Sequence, residues 1–147
     1  MPFLDEVGID VACIGNHDFD FGIEHLENLI KRCRFPWISS NVKCKENNLP
    51  LAGCVEYVIH EHNGIKLGLM GLAEIEWLES IDTFDHDHIV YEPFVDCAKR
   101  LTKYFWEVEK VDYVIALTHI RTNNDKLLAE SVEGVDIFLG GHDHTTV

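Results

Sequence analysis

This sequence predicts an α/β layered fold, and two observations carry that expectation. Short apolar runs suited to buried strands alternate with segments of helical periodicity, and three of the runs end in polar clusters of one kind. The first run, "IDVACI" at residues 9–14, suits a strand buried on both faces. From Gly22, "GIEHLENLIKRC" places Ile23, Leu26, Leu29 and Ile30 on one helical face. Pro36 breaks that helix, and "FPWISSNV" returns to an extended segment. "VEYVIHEHNGIKLGLMGL" is two strand-like runs joined by Asn63-Gly64, the dipeptide that a type I′ hairpin prefers. Residues 75–91 are acidic and His-containing and read as a loop with at most one short helical turn near Trp77. A long amphipathic helix over 93–110 follows, with Phe94, Ala98, Leu101, Phe105 and Val108 at helical spacing. "VDYVIALTH" is a second buried strand, "NNDKLLAESV" a helix with an Asn near its start, and "VDIFLGGHDH" a third strand. Repeats, linkers and low-complexity tracts do not interrupt the pattern.

At 147 residues the chain has the size of one domain, able to bury roughly two thirds of the surface its unfolded form exposes. A 46% hydrophobic fraction with 26% charged residues is globular composition, and no apolar run approaches the roughly 20 residues that span a bilayer. The formal charge of -14, from 26 acidic against 12 basic residues, argues against a nucleic-acid polymer as partner, because Lys/Arg stripes are missing. Acidic excess suits a cation nearby. Cys13, Cys33, Cys44, Cys54 and Cys97 have neither an even count nor C-x-x-C spacing, so they read as reduced, buried thiols, which favours a cytoplasmic setting. "MPFLDEVG" lacks the basic region and apolar stretch of a signal peptide.

The chemistry lies at the strand ends: "IGNHDFD" after the first strand, "LTHIR" after the second, "LGGHDH" after the third. Ligands of α/β sheets bind outside the carboxyl ends of strands, so His17, His119, His142 and His144 are expected to converge. Imidazoles and an amide oxygen ligate borderline divalent cations such as zinc, manganese, iron or cobalt. The spacing of "GHDH" would turn His142 and His144 the same way from an extended segment, behind a Gly140-Gly141 pair that lets backbone approach a ligand. Asp20, three residues beyond His17, is placed to accept its hydrogen bond and fix its tautomer.

"GNHDFDFG", "THIRTNND" and "GGHDH", in this order and spacing, resemble the calcineurin-like metallophosphoesterases, in particular their 5′-nucleotidase-like branch, over essentially the whole chain. The resemblance implies a four-layer α/β/β/α sandwich and a two-metal hydrolase of phosphate esters, with nucleotides as substrates. It implies Asn16, His119 and His142 as ligands of a second metal, His144 as a ligand of the first, and His17 with Asp20 as a catalytic dyad. The family's upstream D-x-H motif and bridging Asp of a G-D motif are not in the sequence, and "DHDH" at 85–88 lies in the wrong place to replace them. Residues 1–147 are thus expected to be a partial sandwich, also short of the last strands. By itself such a chain should bind at most one ion, hydrolyse little, and self-associate through the truncated sheet edge.

Other residues keep plainer readings. Asp18 suits a turn-stabilising carboxylate better than a ligand. Arg121 could clamp a phosphate or make a surface salt bridge. Asn41 could line the pocket, with turn formation the simpler role. His25, His60, His62, His86 and His88 read as surface residues, and Trp37, Trp77 and Trp106 as packing. Alternatives to a phosphomonoesterase are a 2′,3′-cyclic phosphodiesterase or nucleotide-sugar hydrolase, and, from another class, a noncatalytic metal-binding or interaction module.

Overall fold

The computed structural model of the chain describes residues 2–79 and 86–144. Its elements follow in the order α1 (Pro2–Val7), β1 (Ala12–Cys13), α2 (Ile23–Ile30), β2 (Trp37–Ile38), β3 (Val42–Cys44), β4 (Tyr57–His62), β5 (Ile65–Ala73), α3 (Ile75–Glu79), β6 (Ile89–Tyr91), α4 (Phe94–Tyr104), β7 (Tyr113–His119), α5 (Thr122–Ser131) and β8 (Ile137–Gly141). Strands and helices alternate as expected, and the arrangement is a partial α/β sandwich.

The largest sheet has the order β4-β5-β7-β8. β4 and β5 form the expected antiparallel hairpin, with His62 opposite Ile65. Asn63 (φ 51°) and Gly64 (φ 80°) both adopt the left-handed backbone that a type I′ turn requires. β5, β7 and β8 then run parallel, and their register sets Ala73, His119 and Gly141 in one row at the C-terminal edge. Beyond Met70, where β4 stops, Ser40 and Asn41 take over the free edge of β5. The Ser40 N–H donates to the Gly71 carbonyl at 2.8 Å, and the Ala73 N–H donates to Asn41 Oδ1 at 2.9 Å. Asn41 Nδ2 donates in turn to the carbonyls of Ala73 (2.8 Å) and Glu92 (3.1 Å). Its buried amide is thus a strand-edge bridge, neither a turn former nor a pocket-lining group.

Two apolar cores flank this frame. Met70, Leu72, Val114 and Ala116 of the sheet meet Ala98, Leu101, Phe105 and Leu128 of the helical layer. On the other side Ile14, Phe19, Leu26, Trp37, Val42 and Ala73 close together under α2. Each large side chain so buried contributes about 1.5 to 3 kcal/mol.

Several expectations are corrected. β1 covers two residues paired in parallel with β2, not six, because only Ala12 and Cys13 find ladder partners in Trp37 and Ile38. β8 is mostly exposed and carries Leu139 54% open at the sheet edge, so it is not a strand buried on both faces. The helix over 93–110 is α only to Tyr104; Phe105–Glu109 is a π turn, ended by Lys110 at φ 56°. The wider π turn rotates Val108 off the apolar stripe and leaves it 62% exposed. The segment read as a loop does carry its short helical turn around Trp77, α3, but it also contains the strand β6, which pairs antiparallel with β3, Val42 opposite Tyr91; residues 80–85 lie outside the described ones.

All five cysteines are free: Cys54 and Cys97 are buried, and Cys13, Cys33 and Cys44 are half-buried. Burial pushes the Cys97 thiol up to about 12. Trp37 is buried against Phe35, and Trp106 is half-exposed with its indole N–H on the Gly134 carbonyl at 2.8 Å. The side chains of Trp77 and His86 lie outside the description. His25 and His62 are exposed, His60 is half-buried, and His88 pairs with Glu46 at the surface. No described helix is long and apolar enough to cross a membrane.

Candidate active site

The turn after β1 begins where the chain must leave the sheet at Ile14. Residues Asn16–Phe19 form a single 3-10 turn, and Asp18 Oδ2 accepts the Gly15 N–H at 2.7 Å, as a turn-stabilising carboxylate should. Phe19 anchors the turn in the core, fully buried, while Asn16 is half-buried and His17 exposed. Burial raises the Asp18 carboxyl above its ordinary range, with the Gly15 N–H opposing.

Asn16 then meets the end of β7. Its Oδ1 lies 2.8 Å from His119 Nε2, and the same ring nitrogen lies 3.2 Å from His142 Nδ1. The two imidazoles cross edge to face at 74° with centroids 4.9 Å apart. Gly15 makes the approach feasible, since a Cβ there would sit 2.8 Å from the His119 ring. Burial and the neighbouring imidazoles of His142, His17 and His144 push His119 down to about 4, against the raising influence of Glu74. At neutral pH its ring is uncharged, with a nitrogen lone pair available for a ligand.

His17 is 78% exposed, and its Nδ1 contacts Asp20 Oδ2 at 3.1 Å and Oδ1 at 3.3 Å. The expected dyad contact is therefore present. His142 and His144 depart from the extended segment expected of them: β8 ends at Gly141, and both histidines adopt left-handed backbone, φ 91° and 53°. The turn sends His142 inward to His119 and leaves His144 exposed, on the wall of a cleft shared with Thr122 and Asp125 of α5. Asp143 pins that turn by accepting the Thr122 N–H at 2.8 Å.

Arg121 makes a salt bridge, but not a surface one. Its Nη1 lies 3.0 Å from Oε1 of Glu74, a carboxylate with no exposure, while half of the arginine side chain remains open. Glu74 is the site residue that sequence reading passed over. The available signal was a charge closing the apolar strand run "GLMGLAE", level with the ends of the other strands.

Among the described residues no three His, Cys, Asp or Glu side chains group closely enough to hold an ion; the third donor beside His119 and His142 is an amide. Two imidazole nitrogens and an amide oxygen fit a borderline divalent cation, and the ring packed on Gly15 gives the set a rigid wall.

The scaffold is that of the phosphoesterase α/β sandwiches. A 5′-nucleotidase precursor from Thermus thermophilus superposes with a TM-score of 0.87 at 25% identity, over 98% of this chain and 28% of that one. The phosphoesterase YfkN from Bacillus subtilis gives 0.78 at 25% identity, over 97% and 47%. The chain belongs to the calcineurin-like phosphoesterase family, whose profile matches residues 1–146. A 5′-nucleotidase from Bos taurus is 34% identical over 97% of this chain, and that from Homo sapiens is 33% identical over the same share. The chain spans about a quarter of the length of these curated relatives. The family generally uses divalent metal ions.

Proposed function

We propose that the protein carrying this chain is a metal-dependent phosphomonoesterase that acts on nucleotide 5′-phosphates. The observation that carries the reading is the meeting of Asn16 Oδ1, His119 Nε2 and His142 Nδ1 at adjoining strand ends. Kinship with 5′-nucleotidases of about one-third identity supports the substrate class.

In this reading Asn16, His119 and His142 hold one divalent ion and His144 contributes to a second, of manganese, zinc, iron or cobalt. A bound ion polarises the phosphoryl oxygens and lowers the pKa of water. The chain's own residues do the rest. His119 stays uncharged because its surroundings disfavour a proton, so its nitrogen remains a donor. Asp20 accepts from His17 Nδ1–H, which fixes the ring and leaves Nε2 to stabilise or protonate the leaving oxygen. Arg121, braced by Glu74 and half open, offers its remaining guanidinium surface to a phosphate.

The test is hydrolysis of AMP and p-nitrophenyl phosphate by the full-length protein with manganese, cobalt or zinc, beside direct metal analysis. Metal-dependent release of phosphate is expected. Absence of both bound metal and turnover would overturn the reading.

A further inference from the structure

Glu74 closes β5 one residue beyond the row of Ala73, His119 and Gly141. Its side chain has no solvent exposure, so its charge needs partners. Oε2 has two: it accepts the Arg121 N–H at 3.1 Å and Asn124 Nδ2 at 2.6 Å. Oε1 accepts no hydrogen bond among the described residues, although Arg121 Nη1 forms an ion pair with it at 3.0 Å. Among the described residues, His142 Nε2 also lies near Oε1, at 3.9 Å. His142 thus stands between two neighbours of different demand. Its Nε2 faces a buried anion, and its Nδ1 faces His119 Nε2, itself in contact with Asn16 Oδ1.

We infer that Glu74 is a positioning residue: it holds His142 as the Nε2–H tautomer, so that the Nδ1 lone pair is presented to the donor cluster, and it braces Arg121 beside it. The inference rests on the metal-site reading above. A neutral imidazole carries one proton, and the buried carboxylate, though paired with Arg121, favours that proton on the nitrogen facing it, electrostatically across 3.9 Å and not through a hydrogen bond. The proton cannot then occupy Nδ1. One carboxylate so serves two strand ends and the first turn of α5, through His142, Arg121 and Asn124.

Glu74→Gln reverses the polarity with little change in volume. With the amide oxygen kept on the Arg121 N–H and Asn124, the NH₂ takes the place of Oε1, which removes the ion pair with Arg121 Nη1 and turns a donor towards His142 Nε2. That nitrogen can then only accept, and the proton moves to Nδ1. The affinity of the full chain for Co²⁺ or Zn²⁺ should fall about 10- to 100-fold, the usual effect of losing the group that orients a ligating histidine.

The decisive measurement is the ¹⁵N signature of His142 in the ion-free protein at neutral pH, paired with calorimetric metal titration. Protonation at Nε2 in the wild type, shifting to Nδ1 in Glu74→Gln, is the expected result. Wild-type His142 protonated at Nδ1 would overturn the inference, and so would an unchanged tautomer and unchanged affinity in a folded Glu74→Gln. A purely structural salt bridge would lower thermal stability and leave the tautomer alone. If the glutamine variant does not fold, the wild-type tautomer still decides. Failure of the wild-type chain to bind any ion, with His142 as Nε2–H, would count against the metal-site reading and leave the role of Glu74 standing.

Discussion

Asn16 Oδ1 and His119 Nε2 meet at 2.8 Å although 103 residues separate them in the chain. Sheet geometry is what joins them: β7 runs through the centre of the large sheet, and the turn after β1 arrives beside its end. Removing either partner breaks this contact between distant segments.

Asn16→Ala and His119→Ala should each lower affinity for manganese, cobalt or zinc by about 100-fold or more, since losing a direct ligand exceeds the loss of an orienting one. Calorimetric titration of the purified chain and of the full-length protein checks this. Wild-type affinity in both variants would remove these residues from the site.

Gly15→Ala tests the wall of the site. Its φ of -128° suits any residue, so the penalty comes from the added methyl, 2.8 Å from the His119 ring. Overpacking of this kind costs about 1 to 3 kcal/mol. In the double variant Gly15→Ala/His119→Ala the ring is gone and the two effects should not add. Denaturant unfolding of the four proteins supplies the cycle; strict additivity would mean that the ring and Gly15 are not in contact.

His17→Ala in the full-length protein should leave bound metal unchanged and reduce kcat by about 10²- to 10⁴-fold, the contribution of a positioned proton donor. Asp20→Asn should lose less, because it acts through the imidazole. Metal analysis and steady-state kinetics on AMP separate the two effects, and undiminished turnover in His17→Ala would dissolve the dyad.

Asn41→Ala strips the β5 edge of its three side-chain hydrogen bonds and leaves the buried Ala73 N–H without a partner. At about 1 to 3 kcal/mol for each orphaned buried group, a total near 2 to 4 kcal/mol is expected, read as a lower midpoint in urea. A shift of a few tenths would show that another group takes over.

Arg100 holds the Glu92 carboxylate through Nε and Nη2 at 3.0 and 2.7 Å, which lowers the Glu92 carboxyl below its usual 4.5. A depressed folded-state value contributes stability above pH 4.5 that is lost as pH falls through the folded value. Arg100→Gln should therefore melt below the wild type at pH 7, by no more than about 1 kcal/mol for a half-exposed pair. The difference should shrink as pH is taken from 5 towards 3. A gap that widens on acidification would reverse the sign of this contribution.

Most of the fold was legible where periodicity or turn chemistry is local. The hairpin at Asn63-Gly64, α2 and β7 follow from patterns a few residues long. Pairings between distant segments left weaker marks. β6 pairs with β3 across the "DHDH" segment, and its three residues are too short to show a period. The π turn at Phe105–Glu109 was hidden because Val108 keeps helical spacing in sequence while the widened turn moves it in space. Of the candidate site, the meeting of Asn16, His119 and His142 could be expected from residue type and strand-end position. Glu74 did not, since a carboxylate in an acidic chain looks like solvated surface until its burial is known. The left-handed turn at His142 and His144 was likewise invisible, because neither residue is a glycine.

The row of Ala73, His119 and Gly141 also bears on how the site comes into being. The candidate donors come from segments around positions 16, 119 and 142, and no short stretch of the chain brings two of the three segments together. The unfolded polypeptide offers a cation only scattered single ligands, and a strand slipped by two residues would separate the set. An ion at this site would select the chain with every parallel strand in register, adding about 2.7 kcal/mol to the folded state at a hundredfold excess over its Kd. The cation would act as a proofreader of sheet alignment, rewarding one register and no other.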